Sequence, residues 1–95
     1  MVYLIVIMNK WRVALLKKAG KQREALPRVI RALIDYAIAD LEAEGPHTTS
    51  WDIKKTAENE YRLRSNYRYR MRYTVKEHEL IIEIFYLGHR KDAYK

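Results

Sequence analysis

The stretch that decides the fold is YRLRSNYRYRMRY, residues 61–73, in which arginine occupies alternate positions on both sides of a short polar segment. Alternate side chains of a β-strand lie on one face, so the pattern predicts two strands joined at Ser65-Asn66. One face of this hairpin carries tyrosine, leucine and methionine and is a core face. The other face is cationic, and its side chains are Arg62, Arg64, Arg68, Arg70 and Arg72.

The cationic face suits a nucleic-acid backbone. Guanidinium groups bind phosphate through two parallel hydrogen bonds and keep their charge at any cellular pH. The whole chain has a formal net charge of +7, which also indicates a polyanionic partner. Residues 61–95 carry nine Lys and Arg against four Asp and Glu. We therefore expect RNA or DNA to bind toward the C-terminus.

Length and composition limit the alternatives. A chain of 95 residues allows one domain with one core, so residues 1–95 are expected to form a single domain. The absence of cysteine excludes disulfides and thiolate catalysis and is compatible with a cytoplasmic location. No metal or other cofactor is expected, because His47 and His78 lack partners at metal-ligand spacing and three glycines cannot form a phosphate loop.

The chain opens with an apolar segment, residues 2–8. It is far shorter than the roughly 20 residues that a bilayer-spanning helix needs, so no membrane partner is expected. Lys10 and Arg12 follow the segment, whereas a secretory signal has its basic residues before the apolar stretch. Residues 1–7 are either an additional strand or an extension upstream of a natural start at Met8. A chain that starts at Met8 is expected to fold and act normally.

The remaining sequence predicts an α+β fold: one strand, two helices and then an antiparallel three-stranded meander. Apolar residues at three- and four-residue steps predict the longer helix, which Gly45-Pro46 ends. The helices pack on one face of the sheet and leave the arginines on the other, with Arg72 opposed by Glu83. The predicted strands are 11–16, 59–65, 67–75 and 79–87, the helices are 17–25 and 27–44, and a short extended piece covers 51–55.

Three segments of this pattern, residues 61–64, 69–73 and 87–94, resemble the C-terminal half of the RelE/ParE superfamily of toxins from toxin-antitoxin systems. Upstream, the stretch from Lys18-Ala19 through Leu26-Pro27, together with Gly45-Pro46 and Trp51, is similar to the RelE/HigB branch. The resemblance runs from about residue 10 to the C-terminus. It implies a RelE-like fold and a metal-independent, ribosome-dependent mRNA endonuclease. The implied partners are mRNA in the ribosomal A site, ribosomal RNA and a cognate antitoxin that holds the toxin inactive.

The resemblance also implies which residues act on the scissile phosphate. Carried over by position, they are Arg62, Arg64, Arg70, Arg90 and Tyr94. The best-known members of the family have lysines at the first pair, where this chain has arginines. Arginine does not deprotonate in proteins, so neither Arg62 nor Arg64 is expected to serve as a general base.

Proton transfer therefore needs other side chains. Metal-free RNA cleavage requires a proton acceptor for the ribose 2′-OH, cations for the phosphate and a proton donor for the leaving oxygen. The arginines fill only the second role. His89 is the imidazole adjacent to the motif and is expected to move the proton, although a surface position is the alternative. Tyr94 either donates a proton, stacks on a base or closes the core.

Further basic residues are candidates for contact with RNA phosphates, with a solvated surface as the alternative for each. They are Lys17, Lys18, Lys21, Arg68, Arg72 and Lys91. Two functions other than the nuclease also stay open at this point. One is a ParE-like inhibitor of DNA gyrase without nuclease activity, and the other is a non-catalytic protein that binds RNA or an antitoxin.

Overall fold

The computed structural model describes residues 10–65 and 68–89 and confirms the α+β class. Within these ranges, two helices and five strands follow one another, with a 3-10 turn at Glu77–Glu79 before the last described strand. In order they are β1 (Arg12–Leu15), α1 (Lys17–Glu24), α2 (Arg28–Glu44), β2 (Asp52–Ala57), β3 (Glu60–Arg64), β4 (Tyr69–Lys76) and β5 (Ile81–His89).

The strands form one mixed sheet in the order β1-β5-β4-β3-β2. Strands β2 to β5 are an antiparallel meander, and β1 lies parallel to β5 at the edge, with Arg12 beside Ile81. The predicted meander had three strands. That count was too low, because the predicted extended piece continues to Ala57 and pairs with β3 as a full strand.

Both helices lie where the sequence predicts them. Pro27 directly precedes α2, which agrees with the preference of proline for helix starts. Gly45 follows the last residue of α2 with a φ of 91°, a backbone conformation that favours glycine. A Cβ atom at Gly45 would also lie 2.9 Å from Nε1 of Trp11. Glycine is therefore required here both by the backbone and by the packing of Trp11.

The core lies between the helices and one face of the sheet. Tyr73 is fully buried in it and donates a hydrogen bond from its hydroxyl to the carbonyl oxygen of Pro46, at 2.8 Å. Burial raises the pKa of the Tyr73 phenol well above its usual value. The other buried residues are Ala19, Ile34, Ala37 and Leu41 from the helices, and Leu63, Met71, Val75, Ile82, Ile84 and Leu87 from the sheet.

A bulge interrupts the pairing of β4 with β5. Arg72 lies opposite Tyr86 and Tyr73 opposite Ile84, so Phe85 is the extra residue. The expected opposition of Arg72 and Glu83 is therefore wrong. Glu83 instead lies opposite Thr74, and its Oε1 is 3.6 Å from Nζ of Lys76.

Some predictions concern residues outside the described ranges. Residues 1–7, predicted as an additional strand or an extension, belong to this group, as does Asn66 of the predicted turn. Within residues 10–65 and 68–89, neither helix has the length and apolar character that crossing a membrane requires.

Candidate functional site

Four of the five predicted arginines meet on one face of the sheet. Arg62 lies opposite Arg72 and Arg64 opposite Arg70 on the neighbouring strands β3 and β4. We call these four residues the arginine cluster. The cluster faces away from the helices, because the intervening Leu63 is buried in the core. Like charges directly opposite one another lower stability, so folding alone does not explain this arrangement.

The arginine cluster is unequally exposed. The side chain of Arg64 keeps 41% of its surface accessible, whereas Arg70 is only 5% exposed. Because the alternating pattern puts the arginines opposite the core, the sequence predicts that their whole face lies in solvent, and for Arg70 this prediction is wrong. Arg62 and Arg72 are intermediate. A ligand that approaches from solvent meets Arg64 first and Arg70 at the bottom of the cluster.

The burial around Arg70 involves the neighbouring strand β5. Gly88 lies opposite Arg70, and Tyr86 lies opposite Arg72. A Cβ atom at Gly88 would be 2.5 Å from the hydroxyl oxygen of Tyr86, so the tyrosine ring extends along β5 over the glycine. A side chain at position 88 would force the Tyr86 ring to move. Nζ of Lys18 in α1 lies 5.5 Å from the centre of the same ring, a cation–π distance that joins α1 to this corner of the face.

Two carboxylates also lie on the arginine face. Asp52 Oδ2 is 3.4 Å from Nε of Arg64, and Asp52 Oδ1 is 3.7 Å from Nη2 of Arg62. Glu60 accepts hydrogen bonds from the Thr56 hydroxyl at 2.7 Å and from Nη2 of Arg72 at 2.9 Å.

The pKa of Glu60 is below its ordinary value. The hydrogen bond from Thr56 is the main cause, and the Arg72 guanidinium adds to it, while partial burial opposes both. Neither Glu60 nor Asp52 was predicted from the sequence as a site residue. Glu60 could have been found, because it continues the alternation of Arg62 and Arg64. Asp52 gave no such signal, since its position depends on the pairing of β2.

His89 lies at the end of β5, opposite Tyr69, with the two ring centres 5.6 Å apart and edge to face. Strand alternation puts it on the same face as the buried Leu87, across the sheet from the arginine cluster. A cavity of about 610 Å³ between α1 and β5 has both Arg72 and His89 in its lining. The imidazole therefore shares a cavity with one member of the cluster, Arg72, although the two side chains belong to opposite faces.

The other predicted RNA contacts in the described residues lie on α1 and next to β4, and one of them, Lys18, lines the same cavity as Arg72. Lys17, Lys18 and Lys21 are exposed on α1 and line a shallow groove of about 570 Å³. Arg68 is exposed next to β4. The predicted site residues Arg90, Lys91 and Tyr94 lie outside the described residues. In the described part of the chain, no group of three or more metal-ligating side chains could hold a metal ion.

The arrangement of two helices on a five-stranded sheet recurs in solved structures. RelE in the archaeal RelE–RelB complex from Pyrococcus horikoshii is 25% identical, with a TM-score of 0.73, and the match covers 88% of this chain and 99% of that chain. The RelB–RelE antitoxin–toxin complex from Methanococcus jannaschii gives 26% identity and a TM-score of 0.72, with coverages of 85% and 94%. The chain belongs to the RelE-like toxin superfamily.

More distant members of the superfamily share the fold alone. The isolated RelE toxin of E. coli is 16% identical to this RelE-like chain, with a TM-score of 0.69, and the match covers 88% of this chain and 90% of that one. No protein-family model matches the sequence, and no curated protein matches it either. The superfamily assignment therefore rests on the fold together with the identity to the two archaeal proteins.

Proposed function

We propose that this chain is the toxin of a toxin-antitoxin system and acts as a metal-independent, ribosome-dependent mRNA endonuclease. The observation that carries the proposal is the arginine cluster, four guanidinium groups in two cross-strand pairs on the free face of a RelE-like sheet. Such a concentration of fixed cations costs folding stability but suits a phosphate that gains negative charge during the reaction.

Asp52 is the group that the RNA phosphate would replace. Its carboxylate lies 3.4 and 3.7 Å from the nearest nitrogens of Arg64 and Arg62, which is longer than a good charge-assisted hydrogen bond. The carboxylate is also more than half exposed, and ion pairs of that kind contribute little. A phosphate can therefore take over both guanidinium groups at small cost.

In the proposed reaction, the ribose 2′-OH attacks the adjacent phosphorus and the bond to the 5′ oxygen breaks. Arg64 and Arg70 face each other across β3 and β4, so they can contact two non-bridging oxygens of the same phosphate. Arg72 is held by Glu60 at 2.9 Å and fixes the edge of the cluster. Removal of one preorganised donor of this kind typically costs 10²-fold or more in rate.

Two described residues are candidates for proton transfer: His89, which the sequence predicts, and Glu60. His89 stays the predicted proton acceptor, since it lines the same cavity as Arg72. Glu60 lies on the cluster face, but its lowered pKa makes it a weak proton acceptor. We therefore assign Glu60 to positioning Arg72 and keep His89 for proton transfer, with Tyr94 as the predicted donor.

The cleavage proposal is tested by mapping mRNA 5′ ends on ribosomes after brief induction, together with single-turnover cleavage on programmed ribosomes. Arg64→Ala should slow cleavage by about 10²-fold or more. Arg31→Ala, which removes the same charge from α2 on the other side of the sheet, is the matched control and should stay near wild type. If wild type cleaves no ribosome-bound mRNA but inhibits DNA gyrase, the ParE-like alternative replaces the proposal.

His89 needs its own measurement. His89→Gln should reduce single-turnover cleavage by about 10²-fold and leave ribosome affinity nearly unchanged. A rate within a few-fold of wild type would remove His89 from the mechanism. Glu60→Gln would then be the next variant to measure, because it is the carboxylate on the cluster face.

The proposed partner is an antitoxin protein. The similar structures from P. horikoshii and M. jannaschii were solved as complexes of RelE with RelB, which supports this proposal for the present chain. Co-expression of the small reading frame that neighbours the gene should restore growth to cells that express the toxin. If no neighbouring product does so, the antitoxin proposal fails while the nuclease proposal stands on its own assay.

A further inference from the structure

The outer face of α2 carries apolar side chains that the core does not use. Val29 is 77% exposed and Tyr36 is 69% exposed, and the exposed Ala32, Ala39 and Ala43 lie between and beyond them. We call these five residues the outer stripe. The residues of α2 that enter the core, such as Ile34 and Leu41, lie on the opposite side of the helix.

The outer stripe has the spacing of a helix-packing seam. Its members follow one another at steps of three, four, three and four residues, which is the a and d pattern of the heptad repeat. Single apolar residues on a surface need no explanation. The outer stripe, however, puts five apolar residues in one continuous line along a 17-residue helix. Such a line can fit into the grooves of a second helix.

The charges of α2 indicate which second helix would fit. Arg28, Asp35 and Glu42 recur every seven residues, so they lie along one flank of the outer stripe. The flank is basic at its start and acidic at its end. A second copy of α2 in antiparallel orientation, with Tyr36 at the centre, brings Arg28 of each copy near Glu42 of the other. In a parallel copy this flank would lie beside the other flank of the partner helix, so Arg28 and Glu42 would not meet.

The centre of the same flank is already neutralised. Two copies of Asp35 would lie near each other at the twofold axis, which would oppose association. Each Asp35, however, accepts two hydrogen bonds from its own Arg23, at 2.8 Å from Nε and 2.5 Å from Nη2. The hydrogen bond from Arg23 also lowers the pKa of Asp35. The Arg23–Asp35 pair therefore removes the one repulsive contact in the antiparallel arrangement.

We propose that the chain forms a homodimer through the outer stripe, with the two α2 helices antiparallel about a twofold axis at Tyr36. The interface is self-complementary, as twofold symmetry requires: Val29 lies level with the small Ala43 of the second copy. A single helix pair is at the small end of protein interfaces, so the expected dissociation constant lies between about 10⁻⁶ and 10⁻³ M. The arginine cluster, across the sheet, stays accessible in the dimer.

Sedimentation equilibrium of the purified chain over that concentration range tests the proposal. Wild type should show a monomer–dimer equilibrium. Tyr36→Glu should raise the dissociation constant about 100-fold, since both copies lose the central contact and gain a charge. Tyr36 is largely exposed, so this variant should keep the melting temperature of wild type. If wild type stays monomeric over the whole concentration range, the proposal is overturned, and the stripe would then be a binding surface for a different protein.

Charge exchange tests the antiparallel orientation. Glu42→Arg alone should weaken the dimer about 10-fold, and Arg28→Glu combined with Glu42→Arg should restore it. The matched control is Glu58→Arg, which reverses an exposed charge in the turn between β2 and β3 and should leave the equilibrium unchanged. If the double variant associates no better than Glu42→Arg, the antiparallel pairing is wrong.

Discussion

The two faces of strand β3 have opposite chemical character. Leu63 is fully buried under the helices, while Arg62 and Arg64 on either side of it meet two further arginines on the opposite face. Burial of apolar surface stabilises the first face. Repulsion between like charges opposes the second. The apolar face therefore accounts for the fold, and the arginine face carries the proposed function. Substitutions in a single strand can separate the two.

The largest expected difference is between Leu63→Ala and Arg64→Ala. Leu63→Ala removes a fully buried side chain and should lower the free energy of unfolding by about 2–5 kcal/mol. Arg64→Ala removes a partly exposed cation and should change it by less than about 0.5 kcal/mol, with the loss appearing in RNA cleavage. Urea unfolding of both variants measures this. Equal destabilisation would contradict the division of roles between the faces.

Gly88→Ala should lower the free energy of unfolding by forcing a rearrangement where β5 borders the arginine face. The added Cβ atom meets the Tyr86 hydroxyl at 2.5 Å, and relief of such a clash typically costs about 1–3 kcal/mol. Adding Tyr86→Phe, which removes the hydroxyl, should recover part of the loss in urea unfolding. No recovery in the double variant would show that Tyr86 does not cause the destabilisation.

Arg70→Met tests whether the buried cation of the cluster contributes through its charge or through its packing. The sequence predicts that Arg70→Ala keeps the fold, but a side chain that is 5% exposed also fills space, so alanine would remove packing as well as charge. Methionine keeps an apolar stem of similar length and removes the buried charge. Stability should stay within about 1 kcal/mol of wild type, while cleavage falls by about 10²-fold or more. If the free energy of unfolding of Arg70→Met fell well below that of wild type, Arg70 would be needed for the fold rather than only for cleavage.

The smallest expected effect is a change in how stability depends on pH when Glu60 is replaced. Since the folded-state pKa of Glu60 is lowered, mainly by Thr56 and then by Arg72, its ionised form stabilises the fold above the ordinary glutamate pKa of about 4.3. That contribution is lost as the pH falls through the lower folded-state pKa. Glu60→Gln should therefore lower stability at pH 7 but little at the lowest pH. Urea unfolding from pH 7 down to about 3 compares the two proteins, and parallel curves would contradict the assignment.

Much of the fold could be read from local patterns. The spacing of Ile34, Ala37 and Leu41 predicts which side of α2 is buried, and alternating arginines predict the cluster. Strand β2 was underestimated because Ile53 is its only large apolar residue. The partner of Arg72 was also predicted wrongly, because Arg72 lies opposite Tyr86, three residues beyond Glu83. The register of the β4–β5 hairpin, in which Lys76 pairs with Ile81, accounts for two of these positions and the bulge at Phe85 for the third.

The site was less predictable than the fold, because it depends on contacts between distant segments. Burial of Arg70 involves strand pairing with Gly88, and Asp52 reaches the cluster only through the pairing of β2 with β3. His89 was placed near the arginines along the chain, whereas strand alternation puts it on the other face. Spacing along the sequence gives the face of each strand but not which strands are neighbours.

The parallel pairing of β1 with β5 limits the order in which the sheet can assemble. The first described strand is completed by the last one, with Arg12 beside Ile81 and the backbone N–H of Leu16 donating to Ile84 at 2.9 Å. Contacts between such distant segments form late and slow folding. Strand β5 must therefore be synthesised before β1 can join the sheet. The arginine cluster on β3 and β4 is backed by a complete sheet only after that step.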